Sequence, residues 1–457
     1  MFGHLSDHRI QKETMTPTDT PRIDTQSLTR VGRGTPMGSF MRQYWIPALL
    51  SRELERDREP TRLMLLGEKL VAFRDSDGRA GVMDERCPHR GVSLFLGRVE
   101  QGGIRCVYHG WKFDTEGRCL DMPSVPPHQD SRHLVRARAY PVRERAGVVW
   151  VYMGDREQPP ELPAIEAASL PADAVDVYCL QRECNYLQMA ESDLDTSHFG
   201  FLHLGCLDAD DFPEDNPLRY AAEDRAPEFA SSEMPWGTSY GAHRLAADGQ
   251  RYWRVANFLF PFWTQTPQGS FSDHVDARAF VPMDDTHTML FHFSWKRKSR
   301  PLVVEDREGR PLPGLRNDNR LLPNTTDWFG RWRPVANPSN DWLIDRGMQR
   351  DGVTFSGLDN IRTQDQAAVE SMGPIVDHAL EHLVPSDQMV ARTRRRMVKA
   401  LQAFVGQDRT PPGVDDPALF ARARSGFFLA PKDLEWPAVY DAQAEHLRRA
   451  AEAGEPA

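Results

Sequence analysis

No stretch of this chain is both apolar and long enough to cross a bilayer, which takes about 20 residues as a helix, and the mean hydropathy is -0.57. Cysteine is scarce, at six in 457 residues. Cys119, Cys179, Cys184 and Cys206 form no paired framework, a usage that fits a reducing compartment. The first 24 residues contain no apolar signal-peptide core, so a cytoplasmic location is expected. Excess positive charge is missing too. The formal net charge of -10 argues against a nucleic-acid partner. There is no internal repeat and no dinucleotide fingerprint. Gly32-Arg33-Gly34-Thr35-Pro36-Met37-Gly38 has the wrong spacing, contains a proline and follows no β-rich run, so it reads as a plain turn.

The stretch from Cys87 to Trp111 holds two ligand pairs, Cys87-Pro88-His89 and Cys106-Val107-Tyr108-His109. Each pair is short enough for one loop tip and offers one thiolate and one imidazole. A tetrahedral zinc accepts Cys₂His₂, but recurrent zinc spacings keep the cysteines in one half and the histidines in the other. The alternating arrangement suits a [2Fe–2S] cluster of the Rieske kind, with two cysteines on one iron and two histidines on the other.

From Thr61 onward apolar runs alternate with turn residues (Ser76-Asp77-Gly78), and the pattern ends in the buried-strand run Gly147 to Gly154. Gln158-Pro159-Pro160-Glu161-Leu162-Pro163 breaks it and sets the expected domain boundary. Four parts follow: a polar, disordered tail over 1–30, a cluster domain over 31–158, a second domain over 159–430, and a C-terminal tail over 431–457.

In the second domain Asp195, His198 and His203 form D-x₂-H-x₄-H. Asp195 and His198 share a helix face. His198 and His203 are about 140° apart on a regular helix, so the helix must widen or break near Gly200 to bring both imidazoles to one point. A cluster that relays single electrons needs an acceptor, and iron(II) held by two histidines and a carboxylate provides one with open positions. Spacing alone leaves Asp365, Glu370, Asp377 and Asp387 open as the carboxylate. Aromatic runs (Tyr252–Pro267, Thr288–Arg297) suit an antiparallel sheet, Ile361–Leu383 reads as helix, and Ser386-Asp387 caps a further helix. Arg392, Arg394, Arg395 and Arg396 on that helix read as a solvated face.

With both sites present, the chain resembles the oxygenase (alpha) subunits of Rieske non-haem iron ring-hydroxylating oxygenases, within them the phthalate 4,5-dioxygenase group. The likeness is carried by DERCPHRGVSLFLGR, CVYHGWKFDTEGRC, DLDTSHFGFLH and QDQAAVESMG, among other stretches from about Gly34 to Asp387. It implies an α+β fold: a small antiparallel Rieske domain and a helix-grip (START-like) catalytic domain with a central antiparallel sheet. It implies that Cys87, His89, Cys106 and His109 hold the [2Fe–2S] cluster and that His198, His203 and Asp365 hold a mononuclear Fe(II). Asp195 would bridge a cluster histidine of one subunit to His198 of its neighbour in a homotrimer or a pair of trimers. A separate NAD(P)H-dependent reductase would supply electrons. The expected reaction is oxygenation of an aromatic, carboxylated compound with O2, as dihydroxylation or as O-demethylation.

Two other classes are weighed against this. A respiratory-type Rieske carrier would add a disulfide between the loops, and no spare cysteine lies there. A scaffold with a vestigial cluster would not keep all seven ligands. A carboxylated substrate also calls for an arginine. Arg244, beside His243 at the start of a turn, is the candidate, with Arg254 behind it.

Overall fold

Alternating apolar residues, punctuated by glycine and aspartate turns, produce three small antiparallel sheets in the first third of the computed structural model, which describes residues 23–298 and 305–453. Strand β1 (Trp45–Leu50) lies beside β11 (Val148–Tyr152), and β10 (Val142–Arg145) flanks β11 on its other side. All five residues of β11 are buried. A second sheet runs β2 (Thr61–Leu65), β3 (Glu68–Arg74), β4 (Ala80–Asp84), β9 (Ala139–Tyr140). The third runs β5 (Arg98–Glu100), β6 (Gly103–Arg105), β7 (Lys112–Phe113), β8 (Cys119–Asp121). The first cysteine–histidine loop follows β4 and the second joins β6 to β7. Around their bases Phe73, Leu94, Ile104 and Phe113 form a core of their own with Cys87 and Cys106.

The rest of the chain is organised on an eight-stranded antiparallel sheet. Its order is β12 (Val175–Arg182), β18 (Thr288–Trp295), β17 (Asp276–Pro282), β16 (Trp263–Gln265), β15 (Gln250–Leu259), β14 (Gly237–Leu245), β13 (Glu228–Met234). β19 (Gly426–Pro431) pairs with β15. The helices are α1 (Pro36–Met41), α2 (Glu166–Ser169), α3 (Tyr186–Leu194), α4 (Leu218–Glu223), α5 (Arg346–Arg350), α6 (Ile361–Glu370), α7 (Gln388–Gln407) and α8 (Ala438–Ala453). α7 lies along β13 and β14, and Thr393 Oγ1 meets Thr238 Oγ1 at 2.7 Å. This is the helix-grip arrangement.

The apolar core does not stop at Gln158–Pro163. Trp150 of β11 stacks on Trp263 of β16, with ring centroids 5.8 Å apart, inside one cluster that includes Leu28, Trp45, Phe293 and Leu401.

Four sequence expectations change. Residues 1–22 lie outside the described residues, but 23–30 are not a loose tail: Ile23 and Leu28 are buried in the core. The expected tail over 431–457 contains α8, which buries Val439 and Tyr440, because Val439 packs with Trp253 and Ala430 and Tyr440 with Trp236 and Phe271. The helix expected to reach Leu383 ends at Glu370, since Gly373, at φ +93°, precedes Pro374, which cannot donate a helical hydrogen bond. Arg394 leaves the solvated face altogether. It is buried and donates two parallel hydrogen bonds of 2.6 Å to Glu191, with a third at 2.9 Å to Glu381.

Candidate active site

The two cluster loops are built alike. Gly91 N donates to Cys87 O (2.9 Å) and Gly110 N to Cys106 O (3.0 Å), while Cys87 N bonds Val92 O and Cys106 N bonds Trp111 O. Each turn closes through a glycine at φ +75°, a backbone region glycine enters without steric cost. The result places like residues opposite one another. The imidazole centroids of His89 and His109 are 4.5 Å apart, and Trp111 stacks on His89 at 4.3 Å. His109 Nδ1 is buried with no hydrogen-bond partner among the described residues. Burial, with the neighbouring Cys106 and Cys119 thiols, pushes the Cys87 thiol up to about 11, and a bound metal would have to displace that proton.

The second site forms where α3 ends. Leu204 N reaches back five residues to Phe199 O, and this wide π-turn over Phe199–His203 brings His198 and His203 together. Their Nε2 atoms are 3.2 Å apart. Gly200 allows a close approach there: a Cβ would lie 3.0 Å from the Arg225 side chain. α6 supplies the third group. Asp365 Oδ1 lies 3.0 Å from His203 Nε2 and 3.4 Å from His198 Nε2, so α6 singles out Asp365. Among the described residues, His198, His203 and Asp365 are the set of three donors whose ligand atoms lie within 4.8 Å of one another.

Glu370, a rival for the third ligand, is occupied elsewhere. It accepts from Glu183 N (2.9 Å), Trp342 Nε1 (2.6 Å) and Gln366 Nε2 (3.0 Å).

Charge at the three-residue site fits a divalent cation. Burial disfavours a charged His198, yet Asp195 and Asp365 outweigh it and hold the imidazole up to about 10. Burial likewise opposes ionisation of Asp365, and the two imidazoles outweigh it, keeping the carboxyl well below its usual range. A bound Fe(II) would neutralise that negative potential and take the two converging imidazole nitrogens as ligands. Asp195 Oδ2 lies 3.3 Å from His198 Nδ1, and its Oδ1 accepts from Ser197 N at 2.7 Å. Its side chain is still 28% exposed, so it can reach a further partner.

The site opens on a cavity of about 270 Å³, whose far wall is the face of β12, β17 and β18. Four arginines line it: Arg182, Arg254, Arg278 and Arg362. Arg278 is tied to Asp193. Arg244 is a correction. Its Nε donates to the Asp224 carbonyl, and it does not line the cavity, because on β14 it is directed toward the end of α4. The sequence reading missed Gln364, whose Oε1 meets His203 Nδ1 at 2.6 Å, and the row Tyr178–His292–Arg278 that adjacent strands place side by side. The period-2 run Tyr178, Leu180, Arg182 was the available signal for that face.

A family profile described as "Rieske [2Fe-2S] domain" matches residues 44–141, and "LigXa C-terminal domain like" matches 151–455. The 3-chlorobenzoate-3,4-dioxygenase oxygenase subunit of Comamonas testosteroni is 54% identical over 93% of this chain and 99% of that protein. The phthalate 4,5-dioxygenase oxygenase subunit of Pseudomonas putida is 34% identical over 90% of this chain and 92% of its own. In fold, the crystal structure of dicamba monooxygenase bound to dicamba matches with a TM-score of 0.53 at 18% identity, over 81% of this chain and 100% of that one. The two loops of paired cysteine and histidine, the histidine–histidine–aspartate site and these matches lead to one conclusion: the chain belongs to the Rieske non-haem iron ring-hydroxylating oxygenases, as an oxygenase subunit with a [2Fe–2S] cluster and a mononuclear iron.

Proposed function

We propose that this subunit oxygenates a substituted benzoate, with ring dihydroxylation as the reaction. The observation that carries the acid is the charge of the cavity. Four guanidiniums line it, and of its carboxylates Asp195 and Asp365 belong to the metal site, leaving Asp193 against Arg278. A buried excess of cationic groups costs solvation unless an anion enters. The 54% relative is named for 3-chlorobenzoate and the 34% relative for phthalate. We therefore favour a monocarboxylated, halogenated ring over the phthalate-like dicarboxylate.

Cys87 and Cys106 would hold one cluster iron and His89 and His109 the other. His198, His203 and Asp365 would hold the mononuclear iron, which supplies open positions for dioxygen. The residues of the chain orient these groups: Gln364 fixes the tautomer of His203, Asp195 polarises His198, and Phe280 and Leu290 provide an apolar wall for the ring. Dihydroxylation takes O2, two electrons and two protons per ring. The electrons would come from NAD(P)H through a separate reductase, since the sequence carries no dinucleotide fingerprint.

Exposed apolar surface at both sites supports assembly into a ring. Leu96, Val107 and Tyr108 at the cluster tip are 59%, 54% and 53% exposed, and Phe201 and Phe355 beside the histidine π-turn are 53% and 52% exposed. A head-to-tail ring would cover the two patches with each other and bring His89 or His109 of one subunit to the open side of Asp195 in the next. Turnover with ¹⁸O₂ and 3-chlorobenzoate, using a surrogate reductase, tests the reaction. Two labelled atoms retained on the ring are expected, whereas one labelled atom with formaldehyde released from a methoxybenzoate would replace dihydroxylation by demethylation.

A further inference from the structure

We infer that Arg182 and Arg362 form the seat for the substrate carboxylate, at the β12 end of the cavity; the inference rests on the aromatic-acid reading above. Two periodicities bring the pair together. Tyr178, Leu180 and Arg182 alternate along β12 and leave the strand on one face, the face that lines the cavity. Arg362 lies in the first turn of α6, three residues before Asp365, and residues three apart share a helix face. A carboxylate on Arg362 is therefore one helical turn from the proposed iron ligand, and a ring attached to it extends past Phe280 and Leu290 toward His198 and His203.

Among the described residues Arg182, Arg362 and Arg254 have no carboxylate oxygen within 4.0 Å, and of the four guanidiniums in the cavity only Arg278 is paired. Arg182 is only 3% exposed. Its Nη1 donates to Gln181 O at 3.1 Å, and its buried Nε has no partner among the described residues. The carboxylate that acts on it most, Glu370, is already held by three donors. Arg278, by contrast, is paired with Asp193. Arg254 donates Nε to Thr196 Oγ1 at 3.2 Å and lies 4.7 Å over the Phe199 ring. Burial lowers the pKa of both Arg182 and Arg362 from its ordinary value, and the two repel one another. A carboxylate between them would relieve both penalties through charge-assisted bonds.

Arg362 is also held in place. Its guanidinium lies 4.5 Å over the Tyr178 ring. The Tyr178 hydroxyl meets His292 Nδ1 at 2.5 Å, and His292 Nε2 faces Asp276 Oδ2 at 3.2 Å. Asp276 is kept ionised against burial by His274 and His292, so Nε2 carries the His292 proton and Nδ1 accepts from Tyr178. Tyr178, His292 and Asp276 are positioning residues: they lock the aromatic platform on which Arg362 rests.

The test is equilibrium binding of benzoate and benzamide to the metal-loaded full chain by calorimetry. Wild type should bind benzoate more tightly. Arg362→Gln should weaken benzoate by about tenfold or more, the scale of a lost charged hydrogen bond, and leave benzamide unchanged. Arg362→Lys should recover part of the loss. Arg182→Lys, which keeps the charge but not the fork, should weaken benzoate less than Arg362→Gln and not affect benzamide. Stronger wild-type binding of benzamide would overturn both the proposed function and the seat. An acid preference that survives Arg362→Gln, or that is lost in Arg254→Gln instead, would overturn the seat alone. Equal loss of acid and amide in both Arg362 variants would show that Arg362 only supports the wall.

Discussion

His203 and Gln364 meet at 2.6 Å through Nδ1 and Oε1, and this contact decides which nitrogen of His203 faces Asp365. Gln364 Nε2 donates to Gly314 O (3.1 Å) and Leu358 O (2.8 Å), so Oε1 must accept and Nδ1 must carry the proton. The Nε2 lone pair is then left for an ion beside Asp365. Replacing Gln364 by Leu removes the acceptor without changing α6. Mononuclear iron affinity should fall by about 10- to 100-fold, measured as iron retained against a chelator, while the cluster spectrum stays the same. Unchanged iron retention would mean the tautomer is fixed by something else.

The cluster has its own signature. Purified protein should be brown, with about three irons and two inorganic sulfides per chain. Cys106→Ser should remove the colour and two of the irons, leaving the His198–His203–Asp365 site able to bind one. Protein containing only zinc would contradict the assignment.

Asp365 and Glu370 sit on the same helix but should behave differently. Asp365→Ala should abolish turnover and lower mononuclear iron while thermal stability changes little. Glu370→Ala should keep the iron but lose roughly 1–3 kcal/mol of stability, because three donors lose their acceptor. Iron analysis alongside thermal unfolding separates the two, and the reverse pattern would exchange their roles.

Asp195 is within 3.3 Å of His198 Nδ1. Asn has nearly the same shape but no charge, so Asp195→Asn should keep both metals and a reducible cluster yet lose substrate-coupled electron transfer. Stopped-flow oxidation of the reduced cluster in the presence of substrate and O2 reads this directly. A normal rate would remove Asp195 from the path.

Arg394 holds two carboxylates at once, and its removal leaves Glu191 buried without its cation. Arg394→Met should cost about 3–5 kcal/mol at pH 7. Burial already raises the Glu191 pKa even with the arginine present. Without it the folded pKa rises further above the unfolded value, so the folded variant gains a proton as pH falls and part of the loss should be recovered in acid. Thermal scans between pH 8 and 5 should show the gap to wild type narrowing, and a constant gap would point to lost packing.

Chemistry that depends on residue identity at short range was legible in the sequence. Cys87-x-His89 and Cys106-x₂-His109 lie on single turns closed by local hydrogen bonds, so their spacing reports their geometry. Strand alternation and the widened turn at Gly200 are equally local. What lay beyond it depended on segments far apart in the chain. Spacing could not choose among Asp365, Glu370, Asp377 and Asp387, because the choice rests on how α6 docks against the end of α3, more than 160 residues away. Arg244 ranked above Arg254 in the sequence, and although the two share a face of the sheet, only the docking of α4 near the end of β14 ties Arg244 to the Asp224 carbonyl and keeps it off the cavity. Arg394 looked like one of several surface cations until Glu191 of α3 met it across the core. Local backbone geometry is encoded within a few residues, but which side of a strand or helix becomes the inside is decided by what the tertiary fold lays against it.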